Sequence, residues 1–340
     1  MLKAYINHWR YSTLQTDNVT NMPILSVENL STYYKTMRGY VRAVENISFT
    51  LEKGEALGLV GESGCGKTTA ALSILRLLPS NGEIVKGRVL FRGKDVVTMS
   101  QSELTKDIRW KGASLIFQGA MNAFNPVYSV EYQIVEAIRT HESGVKKKEA
   151  KQRVRKLFEL VGLDPSRTTN YPHEFSGGMR QRAMIAMALA CNPDMVIADE
   201  PGTALDVIVQ AQVLKLMRSL KEKLNIGIIV ITHDLSIVSE TCERLAVMYA
   251  GKIVELGDVY TMFKEPLHPY TQGLILAFPN IKEERRKMES IPGSPPNLLK
   301  PPSGCRFHPR CKYAMEICKK EEPEYKEVSP NHYVACYLVE

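Results

Sequence analysis

Glu55-Ala56-Leu57-Gly58-Leu59-Val60-Gly61-Glu62-Ser63-Gly64-Cys65-Gly66-Lys67-Thr68 is the stretch on which the reading turns. Its first six residues are an apolar run of strand length, and Thr68 to Leu78 continues with helical character. A strand, a glycine-rich loop closing on Lys-Thr and a helix are the context of a Walker A motif. Loop N–H groups and the helix N-terminus can hold a phosphate, Lys67 spans the outer phosphates, and Thr68 sets its hydroxyl on Mg²⁺. The expected cradle is Gly61, Ser63, Gly64, Cys65, Gly66, Lys67, Thr68 and Thr69. Alone, this loop says only that a phosphate binds.

Met195-Val196-Ile197-Ala198-Asp199-Glu200 is an apolar strand ending in two carboxylates. Such a pair by itself is as readily a helix cap. Downstream of a lysine loop it reads as chemistry, with Asp199 holding Mg²⁺ through water and Glu200 reaching the attacking water. Gly227-Ile228-Ile229-Val230-Ile231 is a second buried strand, and it delivers His233 to the same sheet edge. Isolated, His233 could equally be a structural histidine.

With Gln118 and Ser176-Gly177-Gly178-Met179-Arg180-Gln181 between them, these elements resemble the ATP-binding subunit of an ABC transporter, specifically of the oligopeptide/dipeptide importer family. The resemblance implies an α/β fold: a P-loop ATPase core with a mostly parallel central sheet, an antiparallel N-terminal sheet and an inserted helical subdomain. It makes Lys67, Gln118, Glu200 and His233 the catalytic set. Thr68, Gln118 and Asp199 become the Mg²⁺ ligands, and Ser176, Gly177, Gly178 and Gln181 the residues that meet the γ-phosphate held by an opposite subunit. Ala204-Leu205-Asp206 would form the D-loop at the dimer interface. Tyr34 stands near the position of the adenine-stacking aromatic, although Tyr33 and Tyr40 are close enough to compete for it. Three departures are visible: Gly119-Ala120 where Asp-Pro is usual, Gly202 where Thr or Ser is usual, and Cys65 in place of Ser. A solvent-accessible Cys65 at a helix N-terminus would be a reactive thiol.

Bulk properties agree with this division. At 340 residues and 44% hydrophobic content, one large domain and a small one are expected. The boundaries fall at 1–23 for an N-terminal extension, 24–270 for the ATPase domain with 120–178 as its helical insertion, and 271–340 for a C-terminal extension. Val154, Leu157, Phe158 and Val161 repeat at helical spacing within that insertion. The net charge of +7 is spread along the chain, which suits a solvated surface better than nucleic acid, and Lys146-Lys147-Lys148 fits either a solvated helix or lipid headgroups. No apolar run approaches the ~18 residues of a spanning helix, and Met1 to Arg10 lack a secretion signal. The expected place is therefore the cytoplasmic face of the membrane, reached through partners.

Cys305, Cys311, Cys318 and Cys336 crowd the last forty residues. Four thiolates at these irregular intervals fit structural zinc, an iron–sulfur cluster or free thiols. His268-Pro269-Tyr270-Thr271 and Gly304-Cys305-Arg306-Phe307-His308-Pro309-Arg310-Cys311 resemble the importer tail, which implies a 4Fe-4S cluster with Zn²⁺ as the alternative. The resemblance also implies its partners: a second ATPase subunit in a heterodimer, two transmembrane permease subunits, an extracellular substrate-binding protein, and no nucleic acid. Peptide is the implied cargo, with nickel or oligosaccharide as alternatives and a soluble ABC ATPase acting on nucleic acid or ribosomes as the other class.

Overall fold

The computed structural model describes residues 22–119, 123–203, 205–277 and 291–339. Residues 1–21, which carry most of the expected N-terminal extension, lie outside them, as do Ala120 and Ala204. Two sheets organise the chain. β1 (Leu25–Thr36), β2 (Gly39–Leu51), β4 (Gly82–Phe91) and the short β5 (Lys94–Asp95) form an antiparallel sheet in the order β2-β1-β4-β5. The central sheet takes β3 (Ala56–Val60), β6 (Ala113–Ile116), β7 (Met195–Asp199), β8 (Gly227–Thr232), β9 (Arg244–Tyr249), β10 (Lys252–Asp258), β11 (Lys326–Ser329) and β12 (His332–Val334), in the order β11-β12-β10-β9-β3-β8-β7-β6. The five strands from β9 to β6 are parallel, and β10, β12 and β11 continue the edge antiparallel.

Alternation along the buried strands explains the layers. Met195 and Ile197 of β7, with Ile229 and Ile231 of β8, pack toward the antiparallel sheet and the helix Lys67–Ile74. Val196, Ala198, Ile228 and Val230 face the other way, onto the helices Val130–His141, Lys147–Leu160, Gly177–Ala188 and Val207–Leu224. Side chains of period two that are apolar on both faces are what a parallel sheet covered on both sides requires. The stripe Val154, Leu157 and Phe158 lies buried within Lys147–Leu160, and Val161 caps it. The helix after the glycine loop is shorter than its sequence suggests. It stops at Ile74 because Arg76 turns to φ +48°, which no continuing helix accommodates.

The C-terminal segment is part of this architecture. Its hairpin β11–β12 pairs onto β10 and so extends the central sheet. A third apolar cluster joins Val247 and Tyr249 of β9 to Tyr270 and Phe307.

Candidate functional site

The parallel strands deliver their C-terminal ends to one edge, where Val60 pairs with Thr232 and Asp199 with Ile231. The glycine loop follows β3, Gln118 follows β6, Glu200 follows β7 and His233 follows β8. Crevices at such strand ends are where open α/β sheets take ligands.

The loop is built by close approach. Gly66 sits at φ +108°, and a Cβ there would stand 2.2 Å from Ala43 O, so only glycine lets the chain turn into the helix Lys67–Ile74. Lys67, 7% exposed, rests its Nζ on Gly61 O at 2.7 Å and Glu62 O at 3.0 Å. Thr68 Oγ1 donates to Asp199 Oδ2 at 2.7 Å, joining residues 131 apart in sequence. Burial raises the Asp199 carboxyl above its ordinary value, with the Thr68 hydrogen bond acting the other way. Ser63 and Gly64 are exposed, and Thr69 accepts a hydrogen bond from Tyr34 Oη at 3.2 Å. Of the three tyrosines considered, Tyr34 is thus tied to the loop's helix, whereas Tyr33 bonds Glu45 and Tyr40 stands half exposed.

Glu200 is the focus of the second half. Its Oε2 accepts from Gln118 Nε2 at 2.8 Å and Thr203 Oγ1 at 2.9 Å, and its Oε1 lies 3.0 Å from His233 Nδ1. Burial opposes its charge, but the hydrogen bonds from His233 and Thr203 and the nearby cations outweigh burial and hold the carboxyl below its usual range. Its backbone is left-handed at φ +49°, a conformation sparsely used by non-glycine residues and tolerated where a site demands it. Gly202 has a local reason: a Cβ there would meet Gln210 Cγ at 2.6 Å. Thr203 was not among the residues singled out from sequence.

Ser176 caps the helix Gly177–Ala188 and accepts from Met179 N at 3.4 Å. Gly178 packs against the helix Val207–Leu224, where a Cβ would come within 2.5 Å of Val209 Cγ1, and Gln181 is buried. Among the described residues no hydrogen bond joins Ser176, Gly177, Gly178 or Gln181 to the glycine loop. Asp206 caps Val207–Leu224 through Val209 N at 2.9 Å, beside Val207 and Ile208, which are 81% and 72% exposed.

Two expectations are corrected. Cys65 is not accessible: it is 2% exposed, and burial raises its thiol despite Lys67 close by. Alkylation at neutral pH with mass-spectrometric mapping should therefore leave Cys65 unmodified in the folded protein, and rapid labelling would refute its burial. The second correction concerns the tail. Among the described residues, which include Cys305, Cys311, Cys318 and Cys336, no group of three or more His, Cys, Asp or Glu is arranged to hold a metal ion, so neither the 4Fe-4S cluster nor the zinc is supported. The four side chains line one small cavity with Phe307, Tyr313 and Leu338. Burial pushes the Cys305 thiol up to about 11 and raises Cys311 and Cys336. None of the four is in a disulfide. Apolar packing and arginine pairs hold the segment instead: Phe307 lies 5.1 Å from Tyr249 and 5.3 Å from Tyr270, centroid to centroid, and Arg306 bonds Glu45 and Ala250 O.

A P-loop at β3, a carboxylate pair at β7 and an antiparallel sheet flanking the core define an ATP-binding cassette. Residues 44–203 match the ABC transporter family, and residues 254–318 match the oligopeptide/dipeptide transporter C-terminal region. The chain is 46% identical over 320 residues to the oligopeptide transport ATP-binding protein OppD of Bacillus subtilis, covering 93% of this chain and 89% of the relative. It is 44% identical over 316 residues to OppD of Escherichia coli, covering 92% and 93%. Among solved structures, cbiO1 of Clostridium perfringens, part of the ABC transporter complex cbiONQ, superposes with a TM-score of 0.63 at 27% identity, over 72% of this chain and 91% of that one. A dimeric bacterial ABC transporter cassette superposes at 0.61 with 25% identity, over 69% and 98%. The protein is an ATP-binding and ATP-hydrolysing subunit of the ABC transporter class. Within that class the chain belongs to the oligopeptide/dipeptide importer family, whose members work in multi-subunit complexes.

Proposed function

We propose that this subunit hydrolyses ATP at an interface between two facing cassettes and thereby drives uptake of di- or oligopeptides. The observation that carries the chemistry is the Glu200 carboxylate, held by Gln118, Thr203 and His233 one residue beyond the Asp199–Thr68 pair. In this reading the loop Gly61–Thr69 cradles the phosphates, Lys67 leaves its carbonyls to meet them, and Tyr34 stacks on adenine. Thr68, Asp199 and Gln118 would hold Mg²⁺, which typically needs only one or two protein carboxylates beside the phosphates; when bound it offsets their charge. Glu200, oriented by His233, takes a proton from the attacking water.

The Ser176–Gly178 turn, with no hydrogen bond to its own loop among the described residues, serves the nucleotide of the opposite subunit through the N-terminus of the helix Gly177–Ala188. The exposed Val207 and Ile208 beside Asp206 support an interface on this side. The facing cassette is a second, different ATPase subunit, and two permease subunits fed by an extracellular binding protein complete the transporter. Among the described residues no helix is long and apolar enough to cross a membrane, so those subunits bring this one to the cytoplasmic face. The peptide cargo is supported by the names of the relatives, which are oligopeptide and dipeptide transport proteins.

The test is a reconstituted transporter in vesicles. A labelled dipeptide should accumulate only with Mg-ATP, and Ser176→Arg should lower both uptake and hydrolysis about tenfold or more while the isolated subunit binds ATP as before. Accumulation of nickel or oligosaccharide with no dipeptide uptake would overturn the cargo, and full hydrolysis by Ser176→Arg would overturn the shared site.

A further inference from the structure

Three parts of the chain meet at Glu62, the second residue of the glycine loop. Its N–H donates to Tyr270 Oη at 3.0 Å. Its carbonyl accepts from Lys67 Nζ at 3.0 Å and from Cys65 N at 3.2 Å. Its carboxylate receives both arms of the Arg310 guanidinium, Nη1 to Oε2 at 2.6 Å and Nη2 to Oε1 at 2.9 Å. A parallel two-bond fork fixes orientation as well as distance, which a lysine cannot do.

Arg310 is itself locked. Its side chain is 6% exposed, Nε donates to Pro292 O at 2.7 Å, Nη1 also to Tyr249 Oη at 3.3 Å, and Nη2 also to Gly293 O at 3.4 Å. The guanidinium lies 5.6 Å from the centroid of the Tyr249 ring, which in turn packs 4.6 Å from the ring of Tyr270. The fork and the tyrosine hydroxyl thus grip Glu62 from a single packed unit contributed by β9, the helix Pro269–Leu276 and the C-terminal segment.

This grip matters because of where Lys67 rests. Its ammonium bonds Gly61 O and Glu62 O, so when it turns to a phosphate the loop loses two of its internal bonds. A loop shaped only by Lys67 would relax at that moment and would have to be reordered around the ligand, at a cost in affinity. Glu62 has supports that do not involve Lys67. They keep the loop N–H groups aimed whether or not the lysine is in place, which is preorganisation supplied from outside the glycine loop.

We propose that Arg310 is a positioning residue for the phosphate-binding loop: through Glu62 the C-terminal segment sets the loop's ATP-ready shape, so ATP affinity depends on a contact 248 residues away in sequence. The inference rests on reading Gly61–Thr69 as the phosphate cradle. It adds a function for the C-terminal segment that needs no metal and no contact with transported cargo.

The test uses the full-length chain, Mg-ATP titrated by calorimetry, and the thermal unfolding midpoint of each variant. Arg310→Gln and Glu62→Gln should each weaken Mg-ATP binding about tenfold, and the double variant should be no weaker than the worse single, as expected for two residues acting through one contact. Arg310→Lys should restore less than half of the loss, because it keeps the charge and loses the fork. His332→Ala loosens the same segment from β10 without touching the loop; it should lower the midpoint and leave ATP affinity within about twofold. Wild-type affinity in Arg310→Gln, additive losses in the double variant, or an equal loss in His332→Ala would each overturn the proposal. Should Arg310→Gln fail to fold, Glu62→Gln decides, since its carboxylate is partly exposed and its backbone bonds remain. Lys67→Ala losing ATP while Arg310→Gln retains it would leave the cradle reading intact and defeat only this one.

Discussion

Glu200→Gln is expected to slow ATP hydrolysis by roughly 10²- to 10⁴-fold, the range spanned by a single positioned acid–base group, while binding Mg-ATP nearly as tightly as the parent. The substitution preserves volume and can still accept from Gln118 or Thr203, so the surrounding bonds need little rearrangement. It removes the carboxylate that takes the proton from the attacking water. Burial opposes the charge of this carboxylate, but the hydrogen bonds from His233 and Thr203 and the nearby Lys67 hold it below the ordinary carboxylate range. A depressed folded-state value contributes stability above the unfolded value, and that contribution is lost as pH falls through the folded one. Protonation of Glu200 should therefore limit turnover only below the ordinary carboxylate range, and an acid limb near neutrality would belong to another group. Steady-state phosphate release checks the rate, and gel filtration with ATP checks whether the variant accumulates as a closed pair. Near-parental hydrolysis would remove Glu200 from the chemistry.

The readable parts of this site are those whose physics is local. A strand, a glycine loop and a helix follow each other within a few residues, and the φ +108° of Gly66 is a demand that only its own position makes. Gln118 and Glu200 are 82 residues apart, and nothing in their spacing announces the 2.8 Å bond between them. They could be named together only because the whole set of motifs resembled one family. Thr203 escaped notice for the same reason in reverse: a threonine in a turn is common, and its bond to Glu200 becomes visible only once the turn has a shape.

The tail misled because cysteine is the conspicuous residue type. Its spacing invited a metal, yet among the described residues no group is arranged to hold one, and what anchors the segment is Phe307, Arg306 and Arg310. Aromatic and arginine side chains carry no spacing rule comparable to that of metal ligands. Their partners, Tyr249, Glu45 and Glu62, come from three different places in the chain. Sheet extension by β11 and β12 was equally hidden, since two strands of four and three residues are too short to show periodicity.

Glu255→Leu is expected to destabilise the protein by about 3–5 kcal/mol, the loss typical of breaking a buried charged cluster by removing one partner. Glu255 is 0% exposed in the middle of β10, flanked by Val254 and Leu256, a place where the sequence pattern would put an apolar residue. It is kept there by three donors: Leu267 N at 2.8 Å, His268 N at 2.9 Å, and His332 Nε2 at 2.8 Å. One carboxylate therefore joins the central sheet to the segment that opens the helix Pro269–Leu276 and to the hairpin strand β12. Leucine matches the volume, but it leaves two backbone N–H groups and an imidazole buried without acceptors, each costing about 1–3 kcal/mol. Glu255→Gln retains one acceptor oxygen and should lose less than half as much. Urea unfolding with an unchanged slope is the measurement, since a shift in midpoint then reports stability alone. A midpoint equal to the parent's would mean that the C-terminal segment is held by its aromatic and arginine contacts and that this carboxylate is dispensable. The expected shift would make Glu255 a fastening between the central sheet, the start of the helix Pro269–Leu276 and the hairpin strand β12, separate from the Arg310 contact with the glycine loop.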